Sequence, residues 1–258
     1  MTVIRRTPGS RDFPFYSERE ADSASTDSPW RLARVPNGFW DIRENRVRYM
    51  DWLAVQCGIK KPADWYEIRK RHFVQYCGGG LLRNHYGCSI RIAAVDYLPD
   101  YDWKPWLFGC VPNGYWKNPK NRNLYMHWLA EQLGFTCTED WYGVTAETFH
   151  RYHGGGLLNN NFQGSVQGVM NDFLPDFKWH EWQFCSVPQK FWQQPNNRRR
   201  YMLWLGQSLG FQAPADWKSL THQNFTDNAG ASLLYGFYRG SMQKAMAEIR
   251  DDHVVTVC

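Results

Sequence analysis

The chain has 258 residues, 43% hydrophobic and 17% aromatic, with 14 Trp, 14 Tyr and 15 Phe, so its cores are built mainly from rings. Its formal net charge of +5 favours polyanionic partners modestly. No apolar run reaches the roughly 18–20 residues of a membrane span, and the seven Cys include no Cys-x-x-Cys and do not recur between the copies described below, which argues against a structural zinc site.

Residues 1–28 are dominated by Ser, Asp, Glu and Arg and read as a disordered tail. No apolar stretch there resembles a secretory signal. Asp12, Glu18, Glu20, Asp22 and Asp27 argue against an organellar transit peptide. The expectation is an intracellular protein with reduced thiols, whether nuclear, cytoplasmic or organellar. Cys57 stands where other copies of the repeat described next have Leu133 and Leu209, and Cys88 where they have Gly164 and Gly240.

From Val35 onward the chain repeats every 76 residues without a gap. Trp40, Trp116 and Trp192 correspond, as do Trp52, Trp128 and Trp204, and Trp65, Trp141 and Trp217. Pro29–Trp30 matches Pro105–Trp106, and Trp182 holds the same place before the third copy. The copies therefore run over 29–104, 105–180 and 181–258. The third ends in DDHVVTVC with no closing Trp, as the capping unit of a stacked array does.

Within a copy, helix one is predicted over 44–56, where Tyr49, Trp52 and Leu53 fall at helical spacing and Gly58 supplies a stop. Gly134 and Gly210 repeat that stop. Helix two is predicted from Asp64, Asp140 and Asp216, each a possible cap, with Thr145 a later alternative. It ends at the Gly runs 78–80 and 154–156 and at Gly230–Ala231–Ser232, read as a loop. Helix three starts at the N-caps Ser89, Ser165 and Ser241 and stops before Pro99 and Pro175. The Trp-x-x-Trp-x-Phe stretches are expected to be extended and to clasp neighbouring copies. No alternating or β-branched run supports a sheet. The predicted fold is all-α, as three tandem three-helix units of helix-turn-helix-like outline.

These motifs, Asn-Arg-x-x-Tyr-x-x-Trp-Leu, Asp-Trp-Tyr, Gly-Gly-Gly-Leu-Leu, Gly-Ser and Trp-x-x-Trp-x-Phe, resemble a Trp-rich tandem repeat family of protist, algal and fungal multi-repeat proteins. The resemblance covers residues 30 to about 250 and implies helical repeats, not a particular activity. The Gly-Ser-then-helix end is also similar to nuclease-associated modular DNA-binding repeats. The third copy departs at Lys218, Ala231–Ser232 and its missing Trp.

No catalytic set recurs. Glu67 becomes Gly143 and Ser219, and His72 becomes Thr148 and Asn224. There is no phosphate-binding loop signature. A non-enzymatic protein without cofactor or metal is expected.

The leading functional reading is DNA or RNA binding through phosphate contacts. Arg46, Arg122 and Arg198 recur, each preceded by Asn45, Asn121 or Asn197, and an Arg fork with a neutral donor suits a phosphate. Further candidates are Arg69, Lys70 and Arg71, then Arg199 and Arg200, and the helix starts at Ser89, Ser165 and Ser241. Arg43 and Arg48 lie beside the first set. The recurring Arg has an equally open structural reading, as an internal ion pair such as Arg46 with Asp64. Charge by copy also resists a continuous phosphate groove. Residues 35–110 are net +3, 111–186 are net −2 and 187–258 are net +3. The rival reading is a protein-interaction scaffold, with the less basic central copy facing a protein and Tyr76, Phe177 and Tyr235 as anchors.

Overall fold

The computed structural model describes residues 28–31 and 35–250; the predicted tail and the terminal DDHVVTVC lie outside the described residues. Every regular element among the described residues is helical, and none is a strand. The chain divides into two compact units, residues 1–113 and 114–258. No helix among the described residues is long and apolar enough to cross a membrane.

The first unit contains α1 (Arg43–Cys57), α2 (Lys70–Gln75), α3 (Gly79–Asn84) and α4 (Ile90–Tyr97). Single 3-10 turns sit at Pro29–Arg31, Phe39–Asp41, Pro62–Glu67 and Pro105–Phe108. α1 ends at Gly58, whose φ of 67° closes a left-handed cap with its N–H on the last-turn carbonyls. Its inward stripe, Tyr49, Met50 and Leu53, is fully buried. Trp30 packs onto this stripe with ring centroids 5.5 Å from Tyr49 and 5.7 Å from Trp52, so the Trp that opens the first copy belongs to that copy's core.

The second unit repeats these elements as α5 (Pro119–Leu133), α6 (Ala146–Arg151), α7 (Gly155–Phe162) and α8 (Val166–Phe173). It continues with α9 (Pro195–Ser208), α10 (His222–Asp227), a π-helical segment Ser232–Phe237 and α11 (Met242–Arg250). Trp182 meets Tyr201 at 5.4 Å and Trp204 at 5.5 Å, as Trp30 meets their counterparts.

The single second helix predicted from Asp64 does not form. Asp64 accepts the N–H groups of Lys60 and Lys61 at 2.8 and 3.0 Å and so closes only a 3-10 turn. Ile68 then turns extended, at φ −69° and ψ 137°, which carries its side chain into the core at 3% exposure. The α-helix starts afresh at Lys70. In the second unit Thr145 and Thr221 cap the corresponding helices by accepting from Thr148 and Asn224, so the later alternative is the one used.

The Gly run is not a loop. Gly79 and Gly80 open α3, and Gly155 and Gly156 open α7. The first glycine of each run is the one the fold requires in all three copies. A Cβ on Gly78, Gly154 or Gly230 would lie 1.9–2.1 Å from the hydroxyl of Tyr49, Tyr125 or Tyr201. Each of those hydroxyls donates across to the backbone carbonyl two residues before that glycine, at 3.1–3.2 Å. Ala231 and Ser232 are accommodated because only Gly230 faces the ring. Ser232 also accepts a bond from the Trp192 indole at 2.9 Å. Besides its 3-10 turns, each segment therefore holds four α- or π-helices among the described residues, not three. The connectors expected to be extended contain 3-10 turns, at Pro105–Phe108 and Glu181–Gln183.

Candidate functional site

The recurring Arg is an internal staple. Arg46 is 8% exposed and its Nε donates to Asp96 Oδ2 at 2.9 Å. Its Nη1 bridges the carbonyls of Trp40 and Asp41 at 3.0 Å each. Arg122 repeats this with both carboxylate oxygens of Asp172 at 2.7 Å and the carbonyls of Trp116 and Lys117 at 3.0 Å. Arg198 does so with Glu248 at 2.5 Å and the carbonyls of Trp192 and Gln193, and its guanidinium lies 4.4 Å from the Phe237 ring centroid.

Asp64 is thus not the partner of Arg46. The pair joins the first and last helices of a segment, fifty residues apart, and ties both to the Trp40 turn. Asp96 also accepts from the Tyr86 hydroxyl at 2.7 Å. Burial pushes the Asp96 carboxyl up, but the Arg46 fork and the Tyr86 hydroxyl outweigh it and hold the group below its usual value of 3.8.

The companion candidates are engaged internally as well. Asn45, Asn121 and Asn197 each donate to the carbonyl six residues earlier, at 2.8–3.0 Å. Ser89, Ser165 and Ser241 cap their own helices by accepting from Ile92, Gly168 and Lys244. Arg69 donates to the carbonyls of Tyr66 and Ile68. Arg200 forms a two-point fork with Glu181 at 2.9 and 3.0 Å, over the Trp182 ring. Lys70, Arg71 and Arg199 are exposed. Lys70 and Arg71 belong to the first unit and Arg199 to the second. Of the predicted anchors, Tyr76 packs on Trp52 and Phe177 on Trp179, whereas Tyr235 is 54% exposed.

The sequence reading missed a surface at the end of each copy. In the first unit Tyr66 lies edge-on between Trp103, at 5.3 Å, and Phe108, at 4.7 Å. Its hydroxyl accepts the Lys104 N–H at 2.7 Å. In the second unit Tyr142 repeats this with Trp179, Phe184 and the His180 N–H. Burial raises the Tyr66 hydroxyl to about 12, so it stays a neutral acceptor at physiological pH. Trp179 and Phe184 thus close one copy while Trp182, between them in sequence, enters the core of the next. The clasp expected of this motif is therefore formed between the second and third copies, by alternate side chains.

The third copy has Lys218 in place of the Tyr. No ring covers that surface among the described residues, and a groove of about 360 Å³ is open there, lined by Trp217, Lys218, Leu220, Met242, Gln243 and Met246. Exposure registers the missing cover. Trp65 and Trp141 are 0% and 4% exposed, while Trp217 is only partly buried. Met170 is fully buried, whereas Met246, its counterpart, is partly exposed. Trp217 also leans on Gly206, where a Cβ would meet its ring at 2.6 Å. The two earlier copies carry Ala at that place.

A second cavity, of about 480 Å³ and polar, lies in the first unit beside Asn37, Asp41, Arg83 and His85. No group of three or more His, Cys, Asp or Glu among the described residues is arranged to hold a metal ion. No family model, curated protein or solved structure matches the chain, so the resemblance to Trp-rich repeats rests on the motifs themselves.

Proposed function

We propose that this chain is a non-enzymatic protein-interaction scaffold. The observation that carries the reading is the groove of the third copy, lined by Trp217, Leu220, Met242 and Met246 beside Lys218 and Gln243 and covered by no ring among the described residues, on a fold whose recurring polar side chains are spent inside. A phosphate-binding array needs its repeated cation at the surface. Here Arg46, Arg122 and Arg198 have their donors committed to carboxylates and carbonyls, so releasing one to a phosphate would strand a half-buried carboxylate.

The test pairs co-purification with a salt titration. Protein partners captured by the chain are expected to survive nuclease treatment and to be lost with Met242→Asp. That substitution places a carboxylate in the first turn of α11, where the helix dipole favours it. Binding to a DNA or RNA duplex is expected to be weak at low salt. The reading is overturned if capture is nuclease-sensitive, or if log K for a duplex falls by several units per decade of salt and Lys70→Glu/Arg71→Glu abolishes binding.

A further inference from the structure

We infer that the open groove of the third copy binds an extended peptide carrying a Trp, a Phe five residues later and a carboxylate beside the Trp. This rests on the scaffold reading and names its ligand class.

The occupant follows from the two counterparts of the same surface that carry a Trp and a Phe. In each, a Trp and a Phe five residues apart embrace one ring, as Trp103 and Phe108 embrace Tyr66, and Trp179 and Phe184 embrace Tyr142. The apolar floor is kept. Leu220 stands where Ile68 and Val144 stand, and Met246 where Ala94 and Met170 stand. What changes is the polar group. Tyr66 and Tyr142 offer a hydroxyl that accepts the N–H following the Trp. Lys218 offers only donors and a positive charge, and a carboxylate on the occupant is the group that matches it. In the first unit Asp102 precedes Trp103 and takes Lys104 Nζ at 2.6 Å, which shows that a carboxylate beside the Trp is compatible with the embrace.

The probe is a fluorescein-labelled peptide of the chain's own sequence 99–109, PDYDWKPWLFG, titrated with the full-length chain and read by anisotropy. Saturable binding in the micromolar range is expected. It should weaken at least tenfold when the peptide carries Trp103→Ala and Phe108→Ala, and again when the chain carries Met242→Asp or Lys218→Glu. Lys218 is exposed, so the last variant leaves the core side chains in place.

No saturation up to ~1 mM, the level of a contact worth about 4 kcal/mol, overturns the inference, as does equal binding by the ring-less peptide. Binding by a chain ending at residue 250 but not by the full chain would assign the groove to the chain's own terminus and overturn it too. So would a concentration-dependent dimer abolished by Met242→Asp, which would make a second copy the occupant. If the peptide fails while nuclease-resistant capture still depends on Met242, the scaffold reading stands and only the ligand class is lost.

Discussion

Gly78→Ala is the sharpest test of how the fold is held. The added Cβ would lie 1.9 Å from the Tyr49 hydroxyl oxygen, 2.3 Å from the ring carbon that bears it and 2.8 Å from the next. The ring has no free direction, because Tyr49 is 0% exposed and touches Trp30, Trp40 and Phe73. Overpacking of this kind costs about 1–3 kcal/mol. Withdrawing the hydroxyl from the Tyr76 carbonyl adds about 1 kcal/mol, for a total of about 2–4 kcal/mol. Gly80→Ala is the control. Its Cβ would meet nothing within 4 Å, and inside α3 it gains up to about 1 kcal/mol of helix propensity. Urea unfolding should lower the midpoint for the first variant and hold or raise it for the second, with unchanged slope. In a cycle with Tyr49→Phe, the double variant should lose less than the sum of the singles, since one clashing atom is gone. If Gly78→Ala stays within about 0.5 kcal/mol of the parent, the size of an ordinary surface change, the ring-on-glycine account is refuted.

Arg122→Met strands Asp172. Breaking a fully buried pair costs about 3–5 kcal/mol. Asp172 keeps 28% of its side chain exposed, so the expected loss is about 2 kcal/mol by chemical denaturation, with partial recovery in Arg122→Met/Asp172→Leu. Asp96 has its folded-state value held below 3.8. Its contribution is therefore full above that value and lost as pH falls through the lower folded one. Unfolding midpoints measured downward from about pH 5 should show a loss that Asp96→Asn removes. Cys88 and Lys190 hold left-handed backbone at φ 63° and 62° where equivalent positions carry Gly. Cys88→Gly and Lys190→Gly should each stabilise by about 1 kcal/mol, the strain relieved; a lowered melting temperature would show that the side chains contribute more than the strain costs.

What could be read from the sequence was whatever is local or identical between copies. Helix one, its Gly58 stop and the Ser89 and Ser165 caps came from spacing a few residues long, and Trp30 came from identity with Trp106. The partner of Arg46 escaped because its column reads Asp96, Asp172 and Glu248. That column preserves a charge, not a residue, and lies fifty positions away, so a search for identical acids stopped at Asp64. The Gly run misled for the same reason. Its cause is Tyr49, a ring 29 residues earlier in the chain, and the third copy, which keeps only Gly230, already shows which glycine is required.

The groove was the least legible feature, because a surface is open or covered according to chain that comes later. Two sequence facts did mark it, the Lys218 replacement and the missing closing Trp, and both read naturally as the decay of a terminal cap. The structure separates decay from exposure. The apolar side chains Trp217, Leu220, Met242 and Met246 still line this surface, and no ring covers it among the described residues. An apolar lining that no described ring covers is the arrangement that a partner in trans would complete.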